Sequence, residues 1–245
     1  MTASSSPASS PNAVSGPVAH TVLAPVTVCC KGILFDMDGI LVSSLGSVER
    51  SWRTWGLARG IDPTTAIHTA HGCRAIETIR KLRPDLDDVA ELKYIEDLEI
   101  ADNEGLAVLP GVLELIAALP VERWTVVTSA TERLARSRMA AGGIPVPEHI
   151  ITADMVANGK PHPEPYLRGA ELLGLPAVDC VVFEDSASGT KAGRAAGCTV
   201  IATTFSHSIA ELSAAHFLVK DLTGIAVEVL PGEAEISLHF RPIAT

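Results

Sequence analysis

Five short apolar runs organise this chain: Gly32–Phe35, Trp124–Thr128, Cys180–Phe183, Thr199–Thr203 and Phe217–Val219. Each is followed by polar or glycine positions and then by a pattern of helical period. Continuous apolar runs of this length suit strands buried on both faces, as in a parallel sheet. Between them the spacing predicts helices over Val112–Leu119, Thr131–Ala141, Tyr166–Leu173 and Gly189–Ala196. The alternation predicts an α/β fold, a doubly wound, Rossmann-like parallel sheet core flanked by helices. Ligands of such sheets gather beyond the carboxyl ends of the strands. Asp36, Thr128 and Glu184 fall there.

The alternation stops between about residues 45 and 108. Leu45, Val48, Trp52 and Trp55 recur at helical spacing, as do Leu92, Ile95 and Leu98. Trp52 and Trp55 read as core side chains of a helix. The segment is expected to be a small helical domain inserted after the first strand, with hinges near Ser43–Ser47 and Asn103–Gly111. The expected organisation is therefore a tail over 1–28, a core built from 29–44 and 109–245, and an insert over 45–108. The tail is rich in Ser, Pro and Ala and reads as disordered. Glu233–Phe240 partly alternates and predicts an edge strand or hairpin.

The formal net charge of -10 argues against a nucleic-acid surface, which needs a basic face. No apolar stretch is long and clean enough to span a bilayer. The five cysteines form no C-x-x-C pair. A reducing, cytoplasmic compartment is the simplest expectation. The expected partner is a small molecule, with neither nucleic acid nor membrane, and the chain is read as a monomer.

Four segments carry chemistry. In Phe35-Asp36-Met37-Asp38-Gly39, two carboxylates follow a buried strand, a costly placement unless they serve a cation, a proton or a reaction. In Thr128-Ser129-Ala130, hydroxyls and backbone N–H groups precede a helix and make an anion site. In Gly159-Lys160-Pro161-His162-Pro163-Glu164-Pro165, prolines stiffen the base from which Lys160 projects. Phe183-Glu184-Asp185-Ser186 places a second acidic pair behind a buried strand. Each has a bland reading alone: a surface turn, a helix cap, one more solvated lysine. Together those readings would require two acidic pairs, an anion site and a stiffly held lysine to gather at strand ends by chance.

In this order the four segments resemble the haloacid dehalogenase-like hydrolase superfamily, over nearly everything after residue 30. The insert resembles that superfamily's small helical cap. His71-Gly72-Cys73-Arg74, Glu122 to Ser129, Gly159 to Tyr166, Phe183 to Gly189 and Ile201 to Phe205 look like its sugar-phosphate phosphatases, of glycerol-phosphate and 2-deoxyglucose-6-phosphate type. Two positions depart from the pattern: Ile40 stands where Thr or Val is usual, and Ser43-Ser44 where an Asp-Ser pair is usual. Neither is expected to carry chemistry.

The resemblance implies Mg2+-dependent hydrolysis of a small sugar or polyol phosphate monoester through an aspartyl-phosphate. Asp36 is the implied nucleophile and Asp38 the acid/base. The implied metal site is Asp36, Asp38 through its backbone carbonyl, Asp185, and Glu184 either directly or through water. Thr128, Ser129 and Lys160 are the implied phosphate binders, and His71 and Arg74 the cap residues that contact the substrate. A β-phosphoglucomutase-like phosphotransferase and a non-catalytic phosphosugar-binding protein remain as alternatives.

Overall fold

The computed structural model describes residues 21–70, 72–229 and 235–244. Strand β1 (Val26–Cys30) leads into β2 (Gly32–Phe35). A tight loop follows, in which the Met37 carbonyl accepts from Leu41 N–H at 2.8 Å and Val42 N–H at 3.1 Å. The chain then leaves the core through β3 (Val42–Ser43) and forms α1 (Leu45–Ala58), α2 (Pro63–Ala70), α3 (Ala75–Leu82) and α4 (Asp88–Ala101). It returns through β4 (Ala107–Val108), which pairs antiparallel with β3, so the two expected hinges are tied into one ribbon. The four helices enclose their own apolar cluster around Trp52, Trp55, Ala66, Ile79 and Ile95. Both tryptophans are buried there, as their spacing predicts, with ring centroids 5.3 Å apart and Trp55 Nε1 donating to Glu91 at 2.7 Å.

The core resumes with α5 (Val112–Ala117), β5 (Trp124–Val126), α6 (Glu132–Ala141), α7 (Glu164–Leu172), β6 (Cys180–Glu184), α8 (Ala187–Ala196), β7 (Thr199–Thr203) and β8 (Phe217–Val219). The five-stranded sheet runs β5-β2-β6-β7-β8, and every pair in it is parallel. Successive side chains of β2 enter opposite layers. Ile33 and Phe35 join one cluster with α5 and α6; Leu34 joins the other with α7 and α8. This two-sided burial is why the strand runs are unbroken in the sequence.

Three differences from the sequence reading have clear causes. The tail expected to reach residue 28 overlaps β1, whose Val26, Val28 and Cys30 face inward while Thr27 and Cys29 face out. Residues 1–20 lie outside the described residues. The C-terminal segment forms the hairpin rather than the edge strand: β10 (Ile236–Phe240) pairs antiparallel with β9 (Ala226–Val229) and lies between it and β1 in a three-stranded sheet. Its Ile236, Leu238 and Phe240 join the same cluster as Phe35, so the small sheet covers one face of the core. Two runs also end early or late: β5 stops at Val126 and β6 extends to Glu184.

Candidate active site

Strand register builds the site. Phe35 lies beside Val126 on one flank and Phe183 on the other. The next residues along therefore emerge together at the carboxyl edge: Asp36, Val127-Thr128 and Glu184-Asp185. Asp36 N–H donates to the Phe183 carbonyl at 2.9 Å, and Val127 N–H to the Phe35 carbonyl at 2.8 Å, which fixes all three levels.

Lys160 reaches this edge from the loop before α7. Its Nζ donates to Asp36 Oδ1 at 2.7 Å, Glu184 Oε1 at 2.7 Å and the Val127 carbonyl at 3.1 Å, and it sits over the Tyr166 ring. Prolines are only part of what stiffens the loop. The Glu164 carboxylate accepts from the N–H groups of Ala157 and Asn158 at 2.8 and 2.9 Å and closes the loop from within.

Glu184 is fully buried, and both its oxygens are occupied by the protein. Oε1 accepts from Lys160 and the Tyr166 hydroxyl; Oε2 accepts from Asp185 N–H, Ser186 N–H and the Ser186 hydroxyl. Against the penalty of burial, the Lys160 charge and these hydrogen bonds hold its carboxyl below the ordinary range. Asp185 has the opposite balance. Burial, then the charges of Glu184 and Asp36, push its pKa well above the usual value. Burial also raises Asp36, with Lys160 pulling the other way. For Lys160, burial disfavours the ammonium, but Asp36 and Glu184 outweigh it and keep the group protonated.

The donor set fits a divalent cation. Asp36, Glu184 and Asp185 each offer a carboxylate oxygen within 4.8 Å of the others, all buried, against the single cation Lys160. All-oxygen ligands suit a hard ion such as Mg2+. Glu184 meets the distance criterion, yet its oxygens already hold five protein hydrogens, so Asp36 and Asp185 are the carboxylates with capacity to spare.

Gly39 is required here for two reasons. Its φ is +84°, and a Cβ would lie 1.8 Å from Asp185 Oδ2. Gly39→Ala is expected to cost about 1–3 kcal/mol from backbone strain alone. It should also displace Asp185 and raise the metal concentration needed for half-maximal activity. Thermal unfolding together with a metal titration checks both. A variant with unchanged stability and metal demand would contradict this packing.

At the anion site, part of the expected donor set is already used. Thr128 N–H donates to the Ile151 carbonyl at 2.9 Å, and the Thr128 hydroxyl accepts from Ala130 N–H at 3.1 Å. The Thr128 hydroxyl proton and Ser129 remain, and both residues line one cavity with Asp36, Asp38, Lys160 and Asp185. That cavity, about 400 Å³, lies between core and cap, whose Leu45, Val48, Trp52, Leu92 and Ile95 form its apolar side.

Of the two expected cap residues, one can be placed. His71 lies outside the described residues. Arg74 lines the cavity, but its guanidinium is occupied by protein groups. It pairs with Glu77 and donates to the Val156 and Ala157 carbonyls at 2.9 and 3.1 Å. It ties the cap to the loop that leads to Lys160, because a half-buried guanidinium satisfies its donors on the nearest carbonyls.

Three groups were missed. Asp38 does not join the carboxylate cluster through its side chain. Arg138 Nη1 donates to both its oxygens at 2.9 Å, and Ser44 Oγ donates to Oδ1 at 2.5 Å. Arg138 in turn donates from Nη2 to Glu99 Oε2 at 2.9 Å. Ser44, the serine of the expected Asp-Ser pair, is thus one of the groups that hold Asp38, whereas the departure itself lies at Ser43. Arg138 and Glu99 each stand four residues after an apolar position, Leu134 and Ile95, and so lie on a buried helix face. That placement was the available signal.

The sequence agrees with known proteins over most of this architecture. Residues 30–197 match the family model of the haloacid dehalogenase-like hydrolases. Hexitol phosphatase A of Escherichia coli is 39% identical over 210 residues, 82% of this chain and 96% of that protein. Glycerol-1-phosphate phosphohydrolase 1 of Saccharomyces cerevisiae is 36% identical over 232 residues, 88% of this chain and 92% of that protein. The crystal structure of CbbY from Rhodobacter sphaeroides in complex with phosphate superposes with a TM-score of 0.69 at 25% identity, covering 79% of this chain and 95% of that one. The chain belongs to the haloacid dehalogenase-like hydrolase family.

Among the described residues, no helix is long and apolar enough to cross a membrane.

Proposed function

We propose that this protein is a Mg2+-dependent phosphatase that hydrolyses small sugar or polyol phosphate monoesters through an aspartyl-phosphate at Asp36. The observation that carries the reading is the buried junction of Asp36, Glu184 and Asp185 with Lys160, at the floor of a cavity roofed by the cap. Family membership and the sugar- and polyol-phosphate relatives support the same reaction class.

Asp36 attacks phosphorus in line, and the P–O bond to the alcohol breaks as the Asp36 O–P bond forms. The nucleophile needs no base once it is ionised. Lys160 and the Thr128 and Ser129 hydroxyls neutralise the phosphoryl oxygens. A bound Mg2+, held by Asp36, Asp185 and the Asp38 main chain, would offset the repulsion between carboxylate and phosphate. Glu184 positions Lys160 and the Asp185-Ser186 backbone. Asp38 gives a proton to the departing alkoxide and then takes one from the water that cleaves the acyl-phosphate. The cap covers the cavity and excludes bulk water from the acyl-phosphate. In this reading the protein works in the cytoplasm as a monomer on a small phosphorylated metabolite.

A panel of phosphorylated metabolites with phosphate detection, with Mg2+ and with chelator, tests the reading. Stoichiometric, Mg2+-dependent phosphate release from polyol or hexose phosphates is expected. Isomerisation without release would favour the mutase, and binding without turnover would favour a sensor. Asp38→Asn should keep fold and metal binding while losing on the order of 10²–10⁴ in turnover of alkyl esters, the usual worth of a positioned acid/base. Unchanged turnover would remove Asp38 from that role.

A further inference from the structure

Core, cap and hinge meet at one carboxylate. Arg138 belongs to α6 of the core, Glu99 to the last turn of α4 in the cap, and Ser44 caps α1 where the chain leaves the core. Asp38 accepts from Arg138 and Ser44, and Glu99 accepts from Arg138. Arg138 is 4% exposed and Glu99 7%. The handling of the phosphoryl group uses neither of them.

The arrangement is a poor device for stability. Two charges are taken out of water, which a buried ion pair recovers only with full hydrogen bonding. Arg138 falls short of that, because its buried Nε has no hydrogen-bond partner among the described residues. An orphaned buried donor costs about 1–3 kcal/mol. Their neighbours on the same helix faces, Leu134, Met139 and Ile95, are apolar and well buried. Aliphatic residues at 99 and 138 would continue those faces at no such penalty. The pair is better explained by what it touches.

We propose that Arg138 is a positioning residue that orients Asp38 for proton transfer, and that Glu99 makes this orientation depend on the seating of the cap. The proposal rests on the phosphatase reading. With α4 docked, the guanidinium is fixed at both ends, by Glu99 on one amino group and by the Asp38 carboxylate on the other. A proton donor must come within about 2.6–3.2 Å of the ester oxygen. Asp38 sits on a loop beyond its strand, so Arg138 Nη1 and the Ser44 hydroxyl supply the constraint the loop lacks. When the cap lifts, Glu99 leaves with α4 and Arg138 loses one of its anchors. Proton transfer is then in register only while the cavity is covered.

The test compares leaving groups. Departure of p-nitrophenolate needs little protonation, whereas departure of an alkoxide needs a proton. The ratio of kcat/KM on glycerol phosphate to that on p-nitrophenyl phosphate therefore reports Asp38 function up to release of the alcohol. Arg138→Met is expected to lower this ratio about 10- to 100-fold, a part of the worth of a positioned acid. Arg138→Lys should recover part of the loss, and the inhibition constant for inorganic phosphate should stay close to wild type. Glu99→Gln should shift the ratio in the same direction by a smaller factor. If Arg138→Met does not fold, the Glu99→Gln ratio decides alone. Equal losses on both esters, or an unchanged ratio in a folded variant, would overturn the proposal. A wild-type protein that hydrolyses neither ester would instead overturn the phosphatase reading on which it rests.

Discussion

Asp36→Asn should fold, keep Lys160 in place and release no measurable phosphate. The amide has no anionic oxygen to attack phosphorus, and nothing else in the cavity replaces it. Loss of a covalent nucleophile removes on the order of 10⁴-fold or more of turnover. Asn keeps the shape of the side chain, and Lys160 retains Glu184 and the Val127 carbonyl. Stability should separate the chemical loss from a folding defect. In wild type, burial and neighbouring carboxylates raise the folded-state pKa values of Asp36 and Asp185 above their ordinary values. A raised carboxyl pKa confers stability that is complete below the unfolded pKa, near about 4, and is lost as pH rises through the folded one. Metal-free wild type should therefore weaken from about pH 4 toward neutrality, and Asp36→Asn should weaken less. Thermal unfolding in chelator across that range checks the sign, and phosphate release with saturating Mg2+ checks the chemistry. A variant with a tenth of normal turnover would exclude Asp36 as nucleophile.

Lys160→Met should harm both folding and reaction. Lys160 is 6% exposed and holds two buried carboxylates at 2.7 Å each. Removing one partner of a buried pair costs about 3–5 kcal/mol, because the remaining charge is left without compensation. For a chain of this size, each kcal/mol shifts the midpoint by roughly 2–4 °C. A drop on the order of 10 °C in the metal-free protein follows from these two figures. Mg2+ should recover part of it by supplying positive charge to Asp36. Turnover should fall about 10²–10³-fold, the loss seen when one donor to a developing charge is removed. In the proposed mechanism it should not recover with excess metal, because a cation bound at the carboxylates does not restore the hydrogen-bond donor that Lys160 supplies to the phosphoryl oxygens. Full recovery of turnover by Mg2+ alone would mean that Lys160 is only a structural counter-charge.

The sequence made the sheet legible because its strands are buried on both sides. Ile33, Leu34, Val181 and Val182 leave no polar position to blur the pattern. β1 carries an alternating pattern, yet it directly follows a Ser, Pro and Ala-rich stretch whose composition conceals it. β10 shows the same alternation, but nothing local says that it has partners on both edges; pairing is a property of the assembled sheet. At the site, the cluster of Asp36, Glu184 and Asp185 was legible because charged residues at the ends of apolar strands are unusual, and Lys160 because it stands in a proline-rich loop. Arg138 and Glu99 were not, since each looks like one more charge on a helix rich in charges. Only the face it occupies betrays its burial. A motif places Arg74 at the cavity, where the structure has it, but where its donors go depends on the 153–157 loop opposite.

The ladder between β1 and β10 joins residues as far as 214 positions apart, at Val26 and Phe240. That spacing sets an order of events during synthesis. β1 leaves the ribosome well before β10 does, so the intervening five-stranded sheet and cap can assemble while β1 waits for that partner. Its alternating polar face, Thr27 and Cys29 outward, keeps the waiting strand from presenting apolar side chains on both sides to other chains.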